Sequence, residues 1–209
     1  MDITQYNSKQ LHILTYAAKE FLDQGYTAAS TNTIAKEAKV AKGLIFHYFK
    51  NKENLYGELL DFAFYHVKEF IDGRMLTLST YMDAFVLIKE LILIKEALII
   101  ESPLYAPLLL NAFEINTEIS PTLRARILHI KEQFENIFAS FLDGLFLQER
   151  LKPTYKHDAK IFYKIMILFE AAFKYEKEQL LPENDFSVLE KISLDYYETM
   201  IKSGILFKN

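Results

Sequence analysis

Apolar residues recur at intervals of three and four along most of this sequence, and no stretch alternates strictly as a half-buried strand would. Glycine and proline, the residues that punctuate turns, number six and five among 209. That pattern specifies an all-α chain. It predicts helices over 7–24, 31–38, 41–49, 52–72, 80–101, 103–115, 121–149, 156–180 and 187–205. Local start signals agree with the periodicity. Ser102-Pro103 and Ser120-Pro121 each set a capping serine before a proline at the first helical position. Asn51 is placed to cap a helix from Lys52, and Ser187-x-x-Glu190 has the form of a capping box.

Composition then removes several function classes. With no cysteine, the chain has no disulfide, no thiol nucleophile and no thiolate metal site. Its five histidines (His12, His47, His66, His129, His157) form no metal-ligand spacing. Neither a phosphate-cradling glycine loop nor a serine elbow is present. No catalytic residue, metal or cofactor is expected, and the chain reads as a non-enzyme. The most lipid-like run, Ala84 to Ile100, carries Lys89, Glu90, Lys95 and Glu96, which argues against a membrane span. The opening MDITQYNSKQ lacks the apolar core of a signal peptide. The expectation is a soluble, cytoplasmic protein. Charge is unevenly spread: residues 1–52 carry seven lysines against four acids, a net +3, whereas the remainder carries 17 Lys+Arg against 24 acids, a net −7. A basic head on an acidic body points to a polyanionic partner for the head.

Within that head the first helix sets Leu11, Leu14, Ala17, Ala18, Phe21 and Leu22 on one face and reaches a natural stop at Gly25. Ser30 is placed to cap a short second helix that buries Ile34, Ala35 and Ala38. A tight turn leads into AKGLIFHYF. Two short helices so joined match the helix-turn-helix pattern, whose second helix lies in the major groove of DNA. Ile45 and Phe49 can anchor that second helix, leaving Lys42, Gly43, Leu44 and His47 near its opposite side. Gly43 lets backbone approach a base edge or phosphate. Lys42 and Lys52 can neutralise phosphates, and the N–H groups opening the fourth helix favour an anion.

On these residues the head resembles the TetR family of bacterial transcriptional regulators. The resemblance is carried by Ala17-Ala18, Phe21, Gly25-Tyr26, Ser30, Ile34-Ala35, Ala38, Val40, Lys42-Gly43, Phe46, Tyr48-Phe49, Lys52-Glu53 and Leu55, with family-like spacing over residues 9–60. It implies a homodimer whose recognition helices read a palindromic operator in double-stranded DNA, usually to repress transcription, under control of a small molecule bound in the body. Carried over by position, the DNA contacts are Ser30, Thr31, Lys42, Gly43, Leu44, Phe46, His47, Tyr48 and Lys52. Three residues depart from the family pattern. Lys39 replaces the usual turn glycine, where a left-handed backbone costs a lysine about 1–2 kcal/mol. Ala41 replaces a common capping serine. Phe46 stands where tyrosine is frequent, and offers a thymine methyl an apolar contact in place of a phosphate hydrogen bond. These departures keep open an alternative, an all-α small-molecule carrier that has lost specific DNA binding.

The division expected is a helix-turn-helix domain over 1–52 and a helical ligand-binding and dimerisation domain over 53–209, joined by the long fourth helix. A largely apolar effector pocket is expected from Phe85, Tyr105, Asn111, Phe113, Phe134, Phe138 and Phe169. Glu101, Glu114 and Glu170, acids set in apolar runs, are further candidates, because a buried carboxylate needs a partner; an exposed helix face, or pairing with Arg124 or Arg126, is the alternative account of each. Helices 156–180 and 187–205 carry two apolar faces apiece, one for the subunit core and one for a two-fold partner.

Overall fold

The computed structural model describes residues 6–76, 100–115 and 118–147, with Glu90, Leu93, Ile94, Ala97 and Leu98 between them. Every element among these residues is helical: α1 (Ser8–Ala28), α2 (Thr31–Glu37), α3 (Lys42–Phe49), α4 (Lys52–Met75), α5 (Tyr105–Phe113) and α6 (Pro121–Leu147). Helices 156–180 and 187–205, the Ser187 box, Phe85, Phe169, Glu170 and the side chain of Phe138 lie outside the described residues.

Asn7 caps α1 rather than beginning it. Its side chain accepts from the backbone N–H groups of Lys9 and Gln10, and its own N–H donates to Gln10 Oε1 at 3.1 Å, closing a capping box. The buried face is Ile13, Leu14, Ala17, Ala18 and Phe21. Leu11, expected on that face, lies about a quarter turn from its centre at 100° per residue and is 36% exposed. Gly25 breaks the helix at φ +73°, a conformation glycine adopts without a Cβ penalty, and one further helical turn resumes through Ala28. Ser30 and Asn51 cap α2 and α4 as their positions predict, Asn51 Oδ1 accepting from Asn54 N at 2.7 Å.

Leu55, Leu59, Leu60, Ala63, Val67 and Ile71 recur at three and four along α4 and are all buried. With Ile13, Leu14, Ile34, Ile45 and Phe49 they are the buried apolar side chains of α1 to α4, where α1 packs on α2 and α4, and α3 on α2 and α4. Each of these leucine, isoleucine, valine and phenylalanine side chains stabilises the fold by about 1.5–3 kcal/mol through burial. Phe21, Tyr26 and Tyr56 add an aromatic cluster, with centroids 4.6 Å apart for Phe21–Tyr56 and 4.9 Å for Tyr26–Tyr56.

The helix expected over 103–115 starts later, at Tyr105, and Ser102 is not its cap. Ser102 N donates to Leu98 O at 2.9 Å, so this residue closes the preceding helical stretch, and Pro103 has no N–H with which to continue it. Ser120 does cap α6, its Oγ accepting from Leu123 N at 3.1 Å. Tyr105 of α5 stacks on His66 with a centroid separation of 5.0 Å and meets Phe62 edge-on. The start of α6 reaches α4 through polar contacts. Ser120 Oγ donates to Glu53 Oε1 at 2.5 Å, and Arg126 donates from Nε, at 2.9 Å, and from Nη2 to Asp61 Oδ2.

By packing, the chain divides into two units, residues 1–77 with 94–132 and residues 78–93 with 133–209. All the contacts above lie in the first.

Candidate nucleic-acid interface

The geometry of the α2–α3 turn follows from one residue. Lys39 adopts φ +52°, so the chain turns left-handed immediately after the Ala38 cap. Lys39 N donates to Lys36 O at 3.1 Å and Val40 N to Ala35 O at 3.0 Å, the two bonds of a Schellman closure. The expected turn is thus formed with lysine in the glycine position. From α1, His12 Nε2 bonds Ala38 O at 3.0 Å and ties the turn to the neighbouring helix. No sequence signal announces that contact, because its partners are 26 residues apart.

Helix α3 follows Ala41 without a side-chain cap, as its sequence predicts. Ile45 and Phe49 are buried and hold it to the head; Leu44 and Tyr48 are half-buried. Lys42, Gly43, Phe46 and His47 form its exposed face. Space beyond Gly43 is open, with no atom within 4 Å of where a Cβ would stand. Lys42 lies with its ammonium 5.5 Å from the centre of the Phe46 ring, so charge and apolar surface are presented together. At the other end Lys50 takes φ +65°, ψ −51° and Asn51 N donates to Phe49 O at 2.7 Å, a strained γ-turn that joins α3 to α4. Lys36, Lys39 and Lys50 are exposed around this face.

Three flanking candidates sit where α1 meets α2 and α4. Ser30 and Thr31 are half-buried at the start of α2, and Ser30 N donates to Glu20 Oε1 at 2.8 Å. Lys52 donates to Thr27 O at 2.9 Å and lies 5.1 Å from the Tyr26 ring centre. Burial lowers the Lys52 ammonium pKa, opposed by the charge of Glu20. Burial also raises the Tyr26 hydroxyl, helped by Glu53. Lys52 is therefore braced against the end of α1 in the free chain.

The described effector candidates fall in separate places. Glu101 is exposed and pairs with Arg74 at 2.6 Å, so neither Arg124 nor Arg126 supplies its partner. Tyr105 is packed between α4 and α1, and its burial raises the hydroxyl pKa. Phe113 and Phe134 are half-buried. Asn111 and Glu114 are exposed on an open cleft of about 420 Å³, facing Gln24–Ala28 of α1. Among the described residues no group of His, Asp and Glu could hold a metal ion, and no helix is long and apolar enough to cross a membrane.

Two short helices closed by a hydrogen-bonded turn, the second anchored by Ile45 and Phe49 and exposing a basic face, define a helix-turn-helix head on a helical body. Residues 13–59 match the family model of the bacterial regulatory proteins, tetR family. Through this head the chain is similar to the TetR family of transcriptional regulators. Over 63 residues it is 40% identical to the HTH-type transcriptional regulator YhgD of Bacillus subtilis, a match covering 30% of this chain and 33% of that protein. Over 84 residues it is 33% identical to QacR of Staphylococcus aureus, covering 40% of this chain and 45% of that protein. The chain thus spans less than half the length of these relatives. Beyond the head the likeness is one of fold: the crystal structure of the regulator FadR of Bacillus subtilis, in complex with stearoyl-CoA, superposes with a TM-score of 0.63 at 18% identity, covering 88% of this chain and 95% of that one.

Proposed function

We propose that the chain is a cytoplasmic, ligand-responsive DNA-binding regulator that represses transcription from a palindromic operator as a homodimer and is released by a small molecule. The observation that carries this reading is the exposed face of α3, where Lys42, Gly43, Phe46 and His47 stand clear of the core while the helix is pinned at both ends. In this reading residues 1–52 bind DNA and residues 53–209 bind ligand and dimerise. Lys42 and Lys52 neutralise phosphates, and Ser30 and Thr31 set the register of α2 on the backbone. Gly43, Leu44, Phe46, His47 and Tyr48 meet base edges or sugar, with Phe46 suited to a thymine methyl.

Helices 156–180 and 187–205 pair across the two-fold axis. The two recognition helices then lie about one DNA turn, roughly 34 Å, apart. The effector is a small molecule of largely apolar character; the stearoyl chain, though not the charged CoA, of the ligand held by the structurally similar FadR has that character. An effector that prefers the non-binding spacing 100-fold lowers operator affinity by about 2.7 kcal/mol.

Selection of bound sequences from a random DNA pool tests the reading. A two-fold symmetric motif whose affinity falls steeply with salt is expected. Weak, unselective binding to every duplex would overturn it in favour of a small-molecule carrier. Lys42→Ala with His47→Ala should abolish selection in a regulator and leave a carrier unaffected.

A further inference from the structure

Glu53, Gly57 and Asp61 are spaced by four on α4 and therefore form one stripe, and the start of α6 engages all three. Ser120 grips the first through its hydroxyl. Arg126 grips the third with two N–H groups. Between them the guanidinium lies across Gly57: a Cβ there would come within 2.5 Å of Arg126 Nη1 and 3.2 Å of both Cδ and Cζ. A Cβ at position 57 would push the guanidinium aside, so glycine leaves the room in which the arginine lies. Ser120 is itself the cap of α6, so its hydroxyl fixes the end of one helix to the first turn of another.

That first turn of α4 is also where the head is held. Lys52, beside Glu53, reaches back to Thr27 at the end of α1, and Asn51 joins α4 to the γ-turn that ends α3. We propose that Ser120 and Arg126 are positioning residues for DNA binding, whose grip on Glu53 and Asp61 over Gly57 makes the start of α6 set the angle at which α4 presents α3. The proposal rests on the DNA-binding reading above. It predicts that loosening the seam leaves each head able to bind its half-site and spoils only the simultaneous fit of two.

Gly57→Ala is the sharpest test, since it removes no charged group and acts only by displacing the Arg126 guanidinium. Alanine also favours the helix over glycine, so lost stability cannot explain lost binding. The full-length protein is measured on its selected operator, on an isolated half-site of that operator and by thermal unfolding. We expect about a tenfold loss on the full site, an unchanged half-site affinity and a melting temperature no lower than the original. Arg126→Met should lose the same factor, and the double variant no more than either single one. Full-site affinity equal to the original in both variants would overturn the proposal, as would an equal loss on full site and half-site. If the unsubstituted protein selects no motif, the DNA-binding reading falls first and this proposal with it.

Discussion

Replacing Lys39 by glycine should make the protein more stable, although it removes a charged side chain and adds the most flexible residue. Lys39 holds φ +52°, where contact between Cβ and the following carbonyl costs an L residue about 1–2 kcal/mol. Its side chain is exposed, and both bonds of the Schellman closure are made by backbone atoms, so the substitution removes neither. Against the relief stands the greater freedom of glycine in the unfolded chain, roughly 0.5–1 kcal/mol. The net expected gain is about 0.5–1 kcal/mol, or about 1–4 °C in Tm for a chain of this length. Lys39→Ala is the control, because it removes the same charge and keeps the strain; it should unfold with the unsubstituted protein to within about 0.5 kcal/mol. Guanidinium and thermal unfolding of the three proteins side by side give the answer. If Lys39→Gly is no more stable than Lys39→Ala, the turn is not strained in the way its backbone angles imply.

Ala41→Ser restores a side chain able to cap α3 and should stabilise by about 1 kcal/mol, read as a higher denaturation midpoint. Asn51→Ala removes the cap of α4 and should cost a similar amount, about 1 kcal/mol, by the same assay. Lys42→Ala should weaken binding across operator sequences and lower the slope of log affinity against log salt by about one, measured by titration at several salt concentrations. Burial raises the half-buried Glu58 carboxyl above its ordinary 4.5, with Arg126 opposing. A carboxyl raised on folding contributes stability that is fully present below 4.5 and is lost as pH rises through the raised value. Glu58→Gln should remove that part of the pH slope of the denaturation midpoint, and an unchanged slope would count against it.

What was legible in the sequence is what neighbours in sequence decide. Ser30, Asn51 and Ser120 could be read as caps because a cap binds N–H groups two or three residues on. The core of the head was legible in Ile34, Ile45 and Phe49, since apolar periodicity and burial agree there. Ser102-Pro103 misled because a serine before proline serves equally to end one helix and to begin the next; the bond from Ser102 to Leu98 decides it. Leu11 misled because leucine on the edge of an apolar face counts for the pattern as much as leucine at its centre. Glu101 pairs with Arg74 at a separation of 27 residues, and no local rule selects that partner over Arg124 or Arg126. The γ-turn at Lys50 was illegible for another reason: lysine has no preference for that conformation, which is imposed by Phe49 on one side and the capped start of α4 on the other.

The closures at the two ends of α3 have a thermodynamic consequence. A segment that becomes ordered only on its target loses conformational entropy at that moment, and its affinity is reduced accordingly. Between Lys39 and Lys50 the backbone is already committed, by a Schellman pair at one end and a γ-turn at the other. Little freedom is left to lose on contact with DNA, and little is available for adjusting to a wrong sequence. A mismatched base pair then meets a surface that cannot remodel itself, so discrimination appears as lost contacts at full strength rather than as a slower, partly compensated fit. On the DNA-binding reading proposed above, rigidity of this kind makes the head a poor general DNA binder and a good judge of one site.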